Sequence, residues 1–137
     1  MDRKLVGLVS LFFIAFFVFL AVVFFSKSLT QLTRAKEDTL PSGSNSLIFA
    51  WPLSAKANSQ SEINVNVFVR SGTNKFIPNK AVTLNTTLGK IRISSEISDK
   101  NGKASFVLTS DRPGKADLTA TIDNSIPILK QLTIEFN

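Results

Sequence analysis

Three patterns of apolar and polar positions follow one another along the chain. From Leu5 to Phe25 (LVGLVSLFFIAFFVFLAVVFF) no residue is charged, and Ser10 carries the only polar side chain. As a helix rising ~1.5 Å per residue this run spans about 32 Å, close to the ~30 Å hydrocarbon core of a bilayer. In Ser26–Thr39, Leu29, Leu32 and Ala35 are three apart, so the helix either continues as a stalk or frays here. Pro41-Ser42-Gly43-Ser44-Asn45-Ser46 breaks any helix and reads as a flexible linker. From Leu47 onward the period becomes two.

The period-two half predicts strands. Glu62–Arg70 puts Ile63, Val65, Val67 and Val69 on one face and Asn64, Asn66, Phe68 and Arg70 on the other, a half-buried strand. Leu47–Leu53 is an apolar run whose Pro52 suits an edge strand. Lys80–Leu88 is rich in β-branched residues, and Lys90–Ser98 alternates Ile91, Ile93 and Ile97 less regularly. Lys103–Thr109, Lys115–Ile122 and Leu129–Phe136 each keep apolar residues on one face. Ser71-Gly72 ends the Glu62–Arg70 strand. Asn101-Gly102 fits the centre of a two-residue hairpin loop, with positive φ at both residues. Arg112-Pro113-Gly114-Lys115 fits a type II turn. About seven strands with turns every ~8–12 residues indicate an all-β antiparallel sandwich behind one long hydrophobic N-terminal helix. The organisation expected is a flank at 1–4, a membrane helix at 5–25, a stalk and linker at 26–46 and a sandwich at 47–137.

Composition narrows the chemistry. The 137 residues include no His, Cys or Tyr. That removes zinc sites, haem and iron–sulfur ligation, and Ser–His or Cys–His catalysis. The carboxylates from Glu62 to Glu135 show no spacing that pairs two on one face, so no enzyme activity and no cofactor are expected. The net charge is +6, but the bases beyond residue 40 stand singly. A nucleic-acid surface would cluster them. The apolar run is longer than the ~7–15 residues of a signal-peptide core, and Phe24-Phe25-Ser26-Lys27-Ser28 is a poor cleavage context. An uncleaved signal anchor is therefore expected, contacting the lipid bilayer through residues 5–25. Bases flank it on both sides, so the charge count does not set its orientation. A cysteine-free, polar-surfaced β domain suits the outside of the cell membrane, which makes the chain single-pass with its C-terminal domain extracytoplasmic.

One ordered series of motifs carries a family resemblance. Val82-Thr83-Leu84 is followed by Ser98-Asp99-Lys100-Asn101-Gly102-Lys103-Ala104, Leu108-Thr109-Ser110, Gly114 and Leu118-Thr119-Ala120. The series resembles the bacterial immunoglobulin-like domain of the invasin and intimin type, over roughly residues 62–122. Ser98 departs from that pattern, which usually has Thr there, and Ser71–Pro78 echoes its loop only loosely. The resemblance implies an immunoglobulin-like sandwich of the kind that serves as a rigid spacer in adhesins and surface proteins. It implies no shared catalytic site.

Several residues invite a functional reading. Asp99-Lys100-Asn101-Gly102 resembles the opening of a calcium loop, but the position six after Gly102, where the bidentate Glu belongs, is Leu108. Turn formation alone explains the tetrapeptide, and no metal is expected. Asn85-Thr86-Thr87 is a formal glycosylation sequon inside an expected strand. Trp51 is expected to fill the core or the membrane-proximal end, its other reading being an exposed stacking platform. Phe68 sits on the polar face of the clearest strand, either as a contact residue or as an ordinary half-exposed aromatic. With Phe76 in the Ser71–Pro78 loop, these are the candidate interaction residues; sheet edges and the loops Ser71–Pro78 and Ser110–Lys115 are the candidate surfaces. The function expected is a spacer or interaction module of a bacterial envelope, whose partner is another envelope protein or a second copy rather than a small molecule. The alternative is a pilin-like filament subunit with its hydrophobic helix in the filament core. That reading suits the Phe-rich run, yet Leu8–Phe12 lacks the Glu that bacterial pilins usually carry there.

Overall fold

The computed structural model describes residues 2–137, and the side chains of all of these except 26–37, 93 and 94. The chain forms two compact units, Met1–Lys36 and Glu37–Asn137.

Helix α1 runs unbroken over Arg3–Thr39, so the helical stretch continues through the segment expected as a stalk. Its first turn is closed by the amides of Leu5 and Val6 donating to the Asp2 carbonyl, at 2.9 and 3.2 Å. Pro41, which lacks an amide hydrogen, follows two residues after its end. Arg3–Phe25 is long and apolar enough to cross a membrane by length and composition. Its large side chains lie on every face and are exposed, among them Leu8, Phe13, Phe17 and Phe24. Phe12 and Phe16, one turn apart, stack at 6.3 Å.

The second unit is a sandwich of two sheets. The strands are β1 (Leu47–Trp51), β2 (Ser54–Ala55), β3 (Ile63–Phe68), β4 (Val82–Thr86), β5 (Lys90–Ser95), β6 (Lys103–Thr109), β7 (Gly114–Ile122), β8 (Ile126–Pro127) and β9 (Leu132–Phe136). One sheet has the antiparallel order β1-β3-β6-β5. The other has the order β2-β9-β7-β4, with β8 on β7; β2 is parallel to β9. The core lies between them. Ile63, Val65, Val67, Ala104 and Leu108 from the first sheet, and Ala116, Leu118 and Ile122 from the second, have no exposed surface. At ~1.5–3 kcal/mol for each fully buried large aliphatic side chain, this alternation is the main favourable term in folding.

Several expectations are corrected in detail. Within the apolar run Leu47–Leu53 only Leu47–Trp51 is strand; it ends before Pro52, and the next strand, Ser54–Ala55, joins the opposite sheet. Lys90–Ser98 is strand only as far as Ser95, and its register on β6 shifts between Ile93 and Ser95. Ile97 then faces outward and bridges to Ala81. Gly114 has φ 147°, far from the ~80° of the third position of a type II turn. The loop before it is closed instead by the Ser110 hydroxyl, which donates to the Arg112 carbonyl and accepts from the Arg112 amide.

The segment expected as a flexible linker is bonded to the sandwich. The Ser42 amide donates to the Arg70 carbonyl at 2.7 Å, and the Asn45 side chain donates to the carbonyls of Ser71 and Gly72. Ser46 is fully buried; its hydroxyl donates to the Ser42 carbonyl and accepts from the Arg70 amide. Gly43 approaches so closely that a Cβ there would lie 2.1 Å from the Pro127 carbonyl oxygen. The small polar residues that suggested flexibility are the ones this close docking needs.

Two turns next to each other are built alike. In Ser71–Lys75 the Asn74 amide donates to the Ser71 carbonyl and the Ser71 amide to the Lys75 carbonyl. In Asp99–Lys103 the Gly102 amide donates to the Asp99 carbonyl and the Asp99 amide to the Lys103 carbonyl. Each has its fourth residue in the left-handed region, Asn74 at φ 65° and Gly102 at φ 68°. Each is braced by its first side chain, which accepts from the amides two and four residues on. Asn101 therefore does not share the positive φ expected of the pair; the loop is a type I turn closed by Gly102, not a two-residue turn. The Gly102 carbonyl accepts from the Val69 amide at 2.7 Å, tying the second turn to the backbone two residues before the first.

Candidate interaction face

The outward side of the β1-β3-β6-β5 sheet gathers the aromatic residues that the core leaves out. Antiparallel register places Leu47 opposite Phe68, Phe49 opposite Asn66 and Trp51 opposite Asn64. Directly opposed residues share a face, so β1 presents Leu47, Phe49 and Trp51 outward while Ala50 points into the core. Trp51 is 69% exposed and Phe49 55%. The expectation that Trp51 fills the core is thus wrong, because its place in the pleat puts it outside and leaves the inward site to Ala50.

Phe68 is half-buried, one strand in from the edge. Phe76 reaches the same face through the Ser71–Lys75 turn, since Arg70 bridges to Phe76. The Arg70 guanidinium lies over the Phe76 ring, 5.0 Å from its centroid. Of the three residues expected from sequence, Phe68 and Phe76 meet in one recess with Leu47, Phe49 and Arg70. Trp51 does not line that recess; it stands beyond Phe49 on the same strand face.

The face changes character across the sheet. Phe68 is opposite Lys103 on β6, and further along the same side Val107 is opposite Arg92 and Thr109 opposite Lys90 on β5. Arg92 is paired with Glu62. Aromatic groups therefore lie at the β1 edge and basic groups toward β5.

Phe49 and Arg70 escaped sequence reasoning. Leu47–Trp51 is apolar at all five positions, so no alternation marks Phe49 as external. Arg70 looks like any solvated strand end until the turn carries Phe76 beneath it.

The other candidates resolve into structure. The Asp99 carboxylate accepts from the Lys103 and Asn101 amides, and these bonds, led by that from Lys103, hold its pKa below the ordinary Asp value. Among the described residues no group of three or more His, Cys, Asp or Glu could hold a metal ion. Asn85 lies within β4 as expected, exposed and opposite Thr119.

Two packed, mostly antiparallel sheets, with β1 at the edge of one and the following β2 at the edge of the other, define an immunoglobulin-like sandwich. Residues 48–137 match the bacterial Ig-like domain (group 1) family, and the chain belongs to it. Intimin of Escherichia coli O127:H6 is 34% identical over 116 residues, 85% of this chain and 11% of intimin. The solved D0-D1 domain of intimin is 37% identical with a TM-score of 0.58, covering 66% of this chain and 46% of that one. Invasin, described as a bacterial integrin-binding protein, is 25% identical with a TM-score of 0.63, covering 72% of this chain and 20% of that one. The chain thus spans a small part of the length of these relatives. The intimin and invasin resemblance drawn from the Val82–Ala120 motifs is borne out.

Proposed function

We propose that the chain is a non-catalytic interaction module of a bacterial envelope, tethered to the membrane by residues 5–25 and presenting its immunoglobulin-like domain outside the cytoplasm. The observation that carries the interaction role is the exposed set Phe49, Trp51 and Phe76 on one sheet face. A spacer has no use for large aromatics in solvent, whereas the core of a protein interface is enriched in them. Invasin's description as integrin-binding supports a protein as the class of partner. The length and composition of Arg3–Phe25 support the tether. Single, scattered bases beyond residue 40 argue against nucleic acid. The filament reading draws no support from the family match, which is to an Ig-like domain.

Three measurements test this reading in cells. External protease applied to spheroplasts is expected to digest the domain and leave a membrane-protected fragment that contains residues 5–25. Replacing Phe16 and Phe17 by Arg is expected to release the chain from the carbonate-washed membrane, since a mid-membrane Arg costs ~2.5–3.5 kcal/mol on insertion scales. A photo-crosslinking residue at position 49 is expected to join the chain to one discrete protein, and the same probe at exposed Asn85 on β4 is expected to join it to none. Equal labelling from both positions would remove the interaction face and leave the spacer.

A further inference from the structure

The recess on this face carries a fixed charge, and that charge bears on the partner's chemistry; the inference rests on the interaction reading above. Leu47, Phe49, Phe68, Arg70 and Phe76 line a groove of about 260 Å³. The waters it holds lie against walls that are mostly hydrocarbon. Releasing them to an apolar side chain is favourable.

Arg70 is held in place from three directions. Its amide donates to the Ser46 hydroxyl at 3.0 Å, and its carbonyl accepts from the Ser42 amide at 2.7 Å. Its guanidinium rests on the Phe76 ring. The Arg70 Nε is shut away from water and has no hydrogen-bond partner. A guanidinium stays charged at any ordinary pH and offers a planar fork of donors. Lys103, opposite Phe68, adds a second base near it on the outward side, while Lys90 and Arg92 lie at the far end of β5, level with Glu62 and Asn64. No acid stands among the outward positions of β3, β6 and β5, and Asp38 is bonded to Thr73 and Lys75 of the adjoining turn. Glu62, just before β3, is occupied by Arg92.

We propose that this groove docks a segment of a partner protein that presents a large apolar side chain with a carboxylate beside it. The apolar group enters between Phe49, Phe68 and Phe76. The carboxylate meets the Arg70 fork, the pairing in which a planar guanidinium is strongest. Lys103 attracts further acidic residues flanking it. A recess within a sheet face admits a side chain but not the plane of a bilayer, which sets a protein segment above an anionic lipid surface as the occupant.

The test uses the full chain in nanodiscs of zwitterionic lipid. The probe is a fluorescein-labelled synthetic peptide with alternating Asp/Glu and Phe/Leu in a Gly-Ser frame; its control carries Lys at every acidic position. Anisotropy reports affinity. Emission of Trp51, the chain's one tryptophan, reports location, since it stands beside Phe49 on the strand face. The acidic peptide is expected to bind at least tenfold tighter than the basic one and to alter Trp51 emission. Raising salt from about 0.05 to about 0.5 M is expected to weaken it several-fold. Arg70→Gln is expected to lower its affinity about tenfold with an unchanged unfolding midpoint. Phe49→Ser with Phe76→Ser is expected to abolish binding. Equal binding of both peptides, no effect of Arg70→Gln, no binding of the acidic peptide, or binding only to anionic vesicles would each overturn the proposal. The broader reading fails separately. If position 49 still crosslinks one protein in cells carrying Arg70→Gln, at undiminished yield, the module stands and the carboxylate chemistry falls. If position 49 crosslinks nothing in the wild type, the interaction face itself falls.

Discussion

The two faces of the four-stranded sheet come from the same strands and the same alternation, yet they are put to different uses. Inward, Ile63, Val65, Val67 and Val69 have no exposed surface, and Ala104 and Leu108 join them. Outward, Asn64 and Asn66 are polar as the pattern demands, but Phe49, Trp51 and Phe76 stand in solvent beside them. Inward apolar groups gain their stabilisation when the chain folds. Outward ones leave theirs to be gained on contact with something else. The same residue type thus stabilises the fold on one face and is available for binding on the other.

The largest expected effect separates the faces with one substitution type. Phe106 is buried on β6, and Phe49 is exposed on β1. Phe106→Ala is expected to cost about 3–5 kcal/mol, the transfer and cavity terms of a buried aromatic. Phe49→Ala is expected to lie within about 0.5 kcal/mol of the wild type, as surface changes usually do. Denaturant midpoints measure both. Comparable losses would show that Phe49 belongs to the core and that the outward face is not free.

Alternation makes one kind of face legible and hides the other. In β6 the sequence bounds Lys103–Thr109 coincide with the strand, because every second residue is apolar and Asp99–Gly102 marks its start. In β1 all five residues are apolar, so the pattern carries no sign of which side faces out; only pairing with β3 supplies it. Phe68 and Phe76 could be singled out as aromatics among polar neighbours. Their meeting with Phe49 and Arg70 could not, since it depends on a turn that folds residues 70 and 76 against each other. Pro41–Ser46 resembles a loose linker in sequence for a related reason. Small polar residues signal both loose linkers and tight docking, and the distinction lies in partners more than twenty residues away, at Arg70, Ser71 and Gly72.

The next effect sets a buried turn position against an outward strand position one residue on. Gly102 is buried at φ 68°, and a Cβ there would lie 2.5 Å from the Val69 carbonyl oxygen and 3.2 Å from the Ile77 nitrogen. Gly102→Val combines backbone strain of ~1–3 kcal/mol with a clash against main chain that cannot swing aside. Lys103→Val adds the same side chain on the outward face, opposite Phe68, and is expected to be nearly neutral. Equal thermal midpoints would mean that the two turns do not pack as described.

A smaller effect is expected at Ser98, the residue that departs from the family's usual Thr. Ser98 is 2% exposed; its hydroxyl donates to the Ile77 carbonyl and accepts from the Lys80 amide, both at 2.9 Å. Ser98→Ala leaves two buried backbone groups unpaired and is expected to cost about 1–2 kcal/mol. Ser98→Thr keeps the hydroxyl and is expected to cost less. If the Ala and Thr variants unfolded together, the hydroxyl bonds would not be what holds these two segments.

The smallest effect concerns the charge at the turn that starts β6 and so fixes which of its residues face inward. The Asp99 carboxylate accepts from the Lys103 and Asn101 amides at 3.0 and 2.8 Å, and its pKa is lowered in the folded chain. A depressed folded pKa means that the unfolded chain takes up the proton first on acidification. The stabilisation is therefore complete above the ordinary Asp value near ~3.9 and fades as pH falls through the lower folded value. Because the group is exposed, solvent screens the effect and the change is expected to be slight. Asp99→Asn keeps one acceptor oxygen for the turn but cannot titrate. The wild type is expected to lose its stability advantage over Asp99→Asn as pH falls below the ordinary Asp value, with a constant gap well above it. Parallel curves on both sides of that value would show that the turn is held by its backbone bonds and by Gly102 alone. The inward register of Ala104, Phe106 and Leu108 would then owe nothing to the carboxylate.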